Sequence, residues 1–199
     1  MSVRARRALV STSDRTALPQ FVLGLDDLGI QIISTGGTAA FIREAGIDVT
    51  EVADITGFPE IMDGRVKTLH PCIHGGLLAV RSNAEHMATI AEHGIEPIDI
   101  VCVNLYPFEE TVAKPDCTLE EAIEKIDIGG PSMLRSAAKN CESIYVVSSP
   151  AQYEETLRRL RADNCLIDPD YGRSLAAEVY RLTSRYDTAV SSYLASRFG

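Results

Sequence analysis

Four short stretches of this sequence carry side chains able to do chemistry. DGRVKTLHPCIHGG, residues 63–76, packs Arg65, Lys67, Thr68, two histidines and three glycines into fourteen positions. Pro71 sits in its middle and no helical period runs through it, so it reads as a loop. Arg65 and Lys67 form one cationic cluster, for which a small anion is the natural guest. STGGT at 34–38 is the second stretch. Glycines let backbone N–H groups approach an oxygen closely, and a helix N-terminus carries partial positive charge. Hydroxyls add short hydrogen bonds, so the set suits a phosphate monoester; a plain helix N-cap would use the same residues. Ser11, Thr12 and Ser13 make the third stretch. The fourth is IDIGGPSMLRSAAKN at 126–140, where Gly129 and Gly130 precede Pro131, a favoured helix opening. Arg135 and Lys139 are four apart on that helix and repel unless an anion or carboxylate is near. Lys139 lies eight residues beyond Pro131, about 12 Å of helix at ~1.5 Å per residue. If both ends of this helix serve one ligand, the ligand is longer than a phosphate.

Other chemistries fit less well. His70, Cys72 and His74 spell H-x-C-x-H, which in an extended segment would share a face and invite zinc. No neighbouring cluster supplies further ligands, so no metal is expected and the histidines read as positioning or packing groups. Cys72 as a nucleophile lacks an identifiable acid or base partner. Neither G-x-G-x-x-G nor G-x-x-x-x-G-K-[ST] follows the first two strands, which argues against a dinucleotide site or an ATP-hydrolysing loop. A mononucleotide or sugar phosphate fits better.

Composition narrows the partners. The chain has 199 residues, 45% of them hydrophobic, enough for a substantial core in one domain. A net charge of −9 excludes a general nucleic-acid binder, because phosphate backbones demand a basic face. No apolar run approaches a membrane span. The basic start, MSVRARRALV, lacks an apolar signal region. Five scattered cysteines without a CxxC pair point to a reducing cytoplasm.

The elements that must position these stretches repeat one pattern. ALVSTSDRTAL reads as strand, polar break and helix, the helix ending near Gly29. IQIISTGGTAAFIREAG repeats it and closes at Gly46 as the C′ residue. A strand is expected at DVTEVA, a helix at NAEHMATIAEHG, and a buried strand at IDIVCVNLYPF. SIYVVSSPAQYEETLRRL is a further strand leading into a helix, with Pro150 at its first position. Such alternation implies a parallel sheet covered on both faces, with ligands at the carboxyl ends of the strands. From Tyr171 to Phe198 the apolar residues Leu175, Val179, Leu182, Tyr186, Val190 and Tyr193 mark one helical face. The chain is expected to be part of a longer protein.

Eight motifs in order then give a resemblance: VSTSD (10–14), STGGTA (34–39), TGFPE (56–60), GRVKTLHP (64–71), HGG (74–76), NLYPF (104–108), IDIGGPSMLR (126–135) and AAKN (137–140). Together they closely resemble the inosine-monophosphate cyclohydrolase domain of the bifunctional purine-biosynthesis enzyme, over nearly all of residues 1–199. The resemblance implies a methylglyoxal-synthase-like fold, a three-layer α/β/α domain with a twisted, mainly parallel sheet and a C-terminal helical segment from about residue 168. It implies ring closure of the formamido-imidazole-carboxamide ribonucleotide to inosine monophosphate with loss of water, and no cofactor. The expected partners are that purine-precursor mononucleotide, a second copy of the chain in a homodimer, and a C-terminal transformylase domain in the full-length protein. No nucleic acid and no membrane is expected as a partner, and a cytoplasmic location is. By similarity, Lys67, Tyr106, Asp127 and Lys139 are the catalytic set. Asp127 with Lys139 is expected to take a proton from the carboxamide; Lys67 and Tyr106 to polarise the formyl oxygen. Ser11, Ser13, Arg15, Thr35, Gly36, Gly37, Thr38, Arg65, Thr68, Asn104, Ile128, Gly129 and Gly130 are the expected substrate-binding residues. Arg15 departs from the lysine of some family members, which forks the charge at that position. Three alternatives stand beside this: a non-catalytic effector module of the same fold that binds a phosphorylated metabolite, methylglyoxal synthase itself, and a structural interaction domain built on the C-terminal amphipathic helix.

Overall fold

The computed structural model describes residues 3–106 and 108–198; Pro107 of the NLYPF motif lies outside them. The strands are β1 (Arg7–Ser11), β2 (Gln31–Ser34), β3 (Thr50–Glu51), β4 (Ile100–Val103) and β5 (Tyr145–Val147). The helices are α1 (Leu18–Asp26), α2 (Gly36–Glu44), α3 (Val52–Thr56), α4 (Pro71–Leu78), α5 (Ala84–Glu92), α6 (Phe108–Val112), α7 (Leu119–Glu124), α8 (Gly129–Lys139), α9 (Tyr153–Ala162) and α10 (Pro169–Phe198).

The sheet order is β3-β2-β1-β4-β5, and every strand pair in it is parallel. The sheet is therefore wholly parallel, not mainly so; the antiparallel pairings are isolated bridges, Arg4 with Leu166 and Ile61 with Val66. Burial on both faces follows from the strand sequences. In RALVS, Ala8 and Val10 enter one core cluster with Phe21, Val22 and Leu25 of α1 and Leu157 and Leu160 of α9. Leu9 between them enters the other, with Ile73 and Leu77 of α4, Met133, Leu134 and Ala137 of α8, and Val179 of α10. Successive side chains of a strand point to opposite faces, so an unbroken apolar run needs a helical layer on each side. Phe21 stacks on Tyr153 at 4.3 Å between ring centres, tying α1 to α9 across the first layer.

Several expectations change in detail. The DVTEVA strand shrinks to the two residues of β3, because Val52 opens a helix. Residues 63–76 are not one loop: His70 caps α4, its Nδ1 accepting from the Cys72 N–H, and Pro71 takes the first helical position. The proline read as a loop signal is a helix opener. The extended face that would have aligned His70, Cys72 and His74 therefore does not exist. Helices α6 and α7 carried no clear signal in the sequence; a Thr118–Glu121 capping box starts the second.

The C-terminal helix is built into the body. Leu175, Ala176, Val179, Thr183 and Tyr186 are buried, and burial fades towards Val190 and Tyr193, which are half-buried. Gly172 lets α10 reach its place: a Cβ there would lie 2.2 Å from the Cys141 carbonyl oxygen. Asn140 of the AAKN motif is buried and donates from Nδ2 to the Leu77 and Ala79 carbonyls, fixing the end of α4 against the end of α8. Because the obstacle at Gly172 is backbone, Gly172→Ala is expected to cost about 1–3 kcal/mol of stability, read by urea denaturation.

Candidate active site

The chain runs from β1 outward to β2 and β3, then returns past β1 to β4 and β5. The tips of β1 and β4 therefore diverge, and an open parallel sheet holds its ligand at such a switch point. A cavity of about 690 Å³ lies there, within the usual range for small-molecule sites.

The β1 tip contributes Ser11, Thr12, Ser13 and Arg15 to its wall; the β2 tip contributes Thr35, Gly37 and Thr38. Thr38 knits the two tips, accepting from the Thr12 N–H and donating to the Thr12 carbonyl, each at 3.2 Å. The β1 loop is also held from β4. Asn104 Oδ1 accepts from the Ser13 N–H at 2.7 Å, the Ser13 hydroxyl at 2.9 Å and the Asp14 N–H at 3.0 Å, while its Nδ2 donates to the Asp14 carbonyl at 2.9 Å. Both Asn104 and Ser13 line the cavity, yet these bonds make Asn104 a residue that positions the loop. Arg15 donates to the Gly37 carbonyl at 3.0 Å and stacks over Phe41. Its forked guanidinium joins the β1 loop to the start of α2. The Thr12 hydroxyl is buried without a hydrogen-bond partner among the described residues, and the Thr35 side chain makes no cap bond. The Thr35 side chain lines the wall where a ligand could meet it, whereas the Thr12 hydroxyl is itself covered.

The opposite wall comes from the loop before α4. Met62 and Asp63, both at φ 53°, and Gly64 at φ 91° turn the chain left-handed, and the Ile61–Val66 bridge closes the loop. This presents Arg65, Lys67 and Thr68 to the cavity. Gly64 is favoured there by its φ of 91°, which strains any residue with a side chain, and it lies against the ends of Glu60 and Lys67. The Lys67 ammonium pairs with Glu60 at 2.8 Å, and Arg65 pairs with Glu124 at the end of α7. Glu60 was one letter of the TGFPE motif; nothing local marks it as the partner of Lys67. Gly36 does not itself line the cavity but lies against this pair, its Cβ position 3.5 Å from Lys67 Nζ.

The floor is the turn into α8. Tyr106, Ile126, Asp127, Ile128, Gly129 and Gly130 all line the cavity. Asp127 Oδ1 accepts from the Gly130 N–H at 2.9 Å, so the carboxylate caps the helix while facing the cavity. Burial raises its pKa above the ordinary carboxylate value, against the pull of the Gly130 and Gly129 N–H groups. The Asp127 N–H donates to the Tyr186 hydroxyl at 2.7 Å. Lys125, another wall residue unmarked in the sequence, places Nζ 5.6 Å from the Tyr106 ring centre.

Lys67, Tyr106 and Asp127 thus share one cavity, and Lys139 does not join them. Lys139 is exposed at the far end of α8, ten residues from Gly129 and about 15 Å along the axis at ~1.5 Å per residue. Arg135 also points elsewhere, its guanidinium over the Tyr180 ring of α10. The second cationic cluster is therefore no part of this anion site. His74 bonds Ser136 through Nδ1 at 2.9 Å, and burial pushes its imidazole below the usual pKa, partly offset by the Thr68 carbonyl. Among the described residues no three His, Cys, Asp or Glu side chains gather where a metal could sit.

A switch-point cavity lined by hydroxyls, a glycine-opened helix start and the cations Arg15, Arg65, Lys67 and Lys125 has the chemistry to receive a small anion. Residues 17–132, more than half of the chain, match the family model of the MGS-like domain, and residues 137–198 match that of the AICARFT/IMPCHase bienzyme. The chain belongs to the MGS-like domain family. It is 58% identical over 193 residues to the bifunctional purine biosynthesis protein PurH of Magnetococcus marinus, covering 97% of this chain and 36% of that protein. It is 55% identical over 194 residues to PurH of Bacillus subtilis, covering 98% and 38% respectively. The chain thus spans little more than a third of the length of these relatives. The crystal structure of ForH superposes with a TM-score of 0.88 at 34% identity, covering 98% of this chain and 99% of that one.

Removing the Asn104 side chain leaves the Ser13 and Asp14 N–H groups without their acceptor. Asn104→Ala is expected to lower stability by about 1–3 kcal/mol. It should also speed amide hydrogen exchange at Ser13 and Asp14 by more than the fall in global stability speeds it in β5.

Proposed function

We propose that this chain is an inosine-monophosphate cyclohydrolase, closing the formamido-imidazole-carboxamide ribonucleotide to inosine monophosphate with loss of water. One observation carries the reading: Lys67, Tyr106 and Asp127, far apart in sequence, line the same cavity as the hydroxyl- and glycine-bearing tips of β1 and β2. The kinship with PurH supports it.

The substrate phosphate would sit at the start of α2, where backbone N–H groups and the helix dipole favour an anion. The Thr35 hydroxyl would reach it or the ribose, and Arg65 and Lys67 would flank it. The imidazole ring would then lie towards Tyr106 and the turn into α8. There the carboxamide nitrogen attacks the formyl carbon of the same molecule. Holding the two groups face to face removes much of the entropic barrier. An amide nitrogen is a poor nucleophile, so a base must take its proton in the transition state. Asp127 is that base. Its carboxylate is held by the Gly130 N–H, and burial makes it a stronger base than a free one. Negative charge grows on the former formyl oxygen, where the Lys67 ammonium and the Tyr106 hydroxyl stabilise it. That oxygen takes back the proton lost by the carboxamide nitrogen to become a hydroxyl; it then leaves as water with the proton of the former formamido N–H, as the C–O bond breaks and the ring C=N bond forms. Glu60 keeps the Lys67 ammonium at the wall beside the start of α2. Lys139 has no place in this scheme.

The whole of residues 1–199 would form this domain, and a C-terminal transformylase domain would follow in the full-length protein, as the PurH kinship supports. A homodimer fits the exposed apolar residues Phe58, Met62 and Ile128. A cytoplasmic location fits five unpaired cysteines; among the described residues no helix is long and apolar enough to cross a membrane.

Incubation with the formylated ribonucleotide, followed by ultraviolet absorbance, is expected to give inosine monophosphate well above the spontaneous rate. No excess product would favour a phosphometabolite-binding effector module. Asp127→Asn is expected to lower kcat by about 10²–10⁴-fold, the usual range for a general base. Full turnover by that variant would remove the base. The base works ionised, so activity is fully present above its pKa and lost as pH falls through it. Because that pKa is raised, the acid limb of kcat should lie above the ~3.9 of an unperturbed aspartate. A kcat that stays level to that pH would contradict the assignment.

A further inference from the structure

The scheme above leaves the Tyr186 hydroxyl unused. Tyr186 sits on the inner face of α10, 8% exposed. Its Oη accepts the Asp127 N–H at 2.7 Å, across 59 residues of sequence. Its ring meets Phe108 edge-on, with centres 6.2 Å apart and planes at 66°. Phe108 in turn donates its N–H to the Tyr106 carbonyl at 2.8 Å. One side chain therefore touches the turn that carries Asp127 and the residue that holds the Tyr106 backbone.

The two contacts act on separate degrees of freedom. The Asp127 carboxylate is held by Gly130, a bond within the same turn. That bond orients the carboxylate relative to α8 but cannot fix the turn relative to the rest of the cavity. The Tyr186 hydroxyl does this, because α10 is anchored in the core by Leu175, Ala176 and Val179. The sequence origin of the parts adds weight. Tyr106, Lys67 and Asp127 lie in the segment matched as an MGS-like domain, whereas Tyr186 lies in the segment matched as the bienzyme. A sheet domain of general design takes the position of its base from a helix outside that match.

We propose that Tyr186 is a positioning residue for the ring closure: its hydroxyl sets the Asp127 turn, and its ring, through Phe108, sets the segment bearing Tyr106. The inference rests on the cyclohydrolase reading. A displacement of about 1 Å at a reacting group can cost on the order of 10²-fold in rate.

Tyr186→Phe keeps the ring and removes only the hydroxyl. It is expected to lower kcat by about 10- to 100-fold with KM changed less than about twofold, since the phosphate contacts lie at the other end of the cavity. The Asp127 amide should exchange faster in the variant and shift upfield in an amide NMR spectrum. Tyr180→Phe, on the same helix but away from the cavity, should match the wild type in both. Phe108→Leu keeps the hydroxyl and tests the ring contact: kcat should fall while Asp127 exchange holds. Wild-type kcat and unchanged Asp127 exchange in Tyr186→Phe would overturn the proposal, as would a loss confined to melting temperature. If the wild-type chain fails to turn over the ribonucleotide, the cyclohydrolase reading fails. The Asp127 exchange rate in Tyr186→Phe then decides this inference by itself, and an unchanged rate overturns it.

Discussion

Strands β1 and β4 lie side by side in the sheet, yet the chain leaves their tips towards opposite edges. No helix can cover both departures at once, so a crevice opens where they part. Everything proposed for this chain depends on that divergence. It places the loop after β1 against the loop after β4, where Asn104 can staple them. It also leaves room for two segments from elsewhere, the left-handed loop at residues 61–66 and the turn into α8, to close the walls. The fold makes the cavity and the loops give it chemistry.

Charge is managed by pairing. The chain carries a net −9, and two of the cations that face the cavity are each met by a carboxylate: Lys67 by Glu60, Arg65 by Glu124. These pairs are partly exposed, so their contribution to stability is small. Their value is geometric. A lysine has four rotatable carbons, and the Glu60 carboxylate between Gly36 and Gly64 selects where its ammonium rests. Asp127 shows the opposite balance. Burial makes its charge costly, and backbone N–H groups give part of that back, leaving a carboxylate that is both fixed and basic.

Much of the frame was legible because its signals are local. Unbroken apolar strands followed by polar or glycine breaks forced a parallel sheet with two helical layers, and STGGT did open α2. The eight motifs brought the cavity-lining residues to notice. What the sequence could not display was partnership across distance. Nothing near Glu60 announces Lys67, and nothing near Tyr186 announces Asp127, 59 residues away. Pro71 is ambiguous in the sequence because proline suits a loop as well as a first helical turn. Lys139 stood in a motif whose visible work in the fold belongs to its neighbour: Asn140 holds the end of α4, while Lys139 faces away. Motif membership marks a residue, but helix rise decides whether it can reach the site.

One rim of the sheet is proposed to gather these segments around a single purine nucleotide. Titrating the chain with inosine monophosphate while following backbone amide NMR shifts tests it most directly. Saturable shifts confined to residues 11–15, 35–38, 64–68, 104–106 and 125–130 are expected. Shifts centred on Arg135 and Tyr180, where α8 meets α10, or none at millimolar nucleotide, would contradict this.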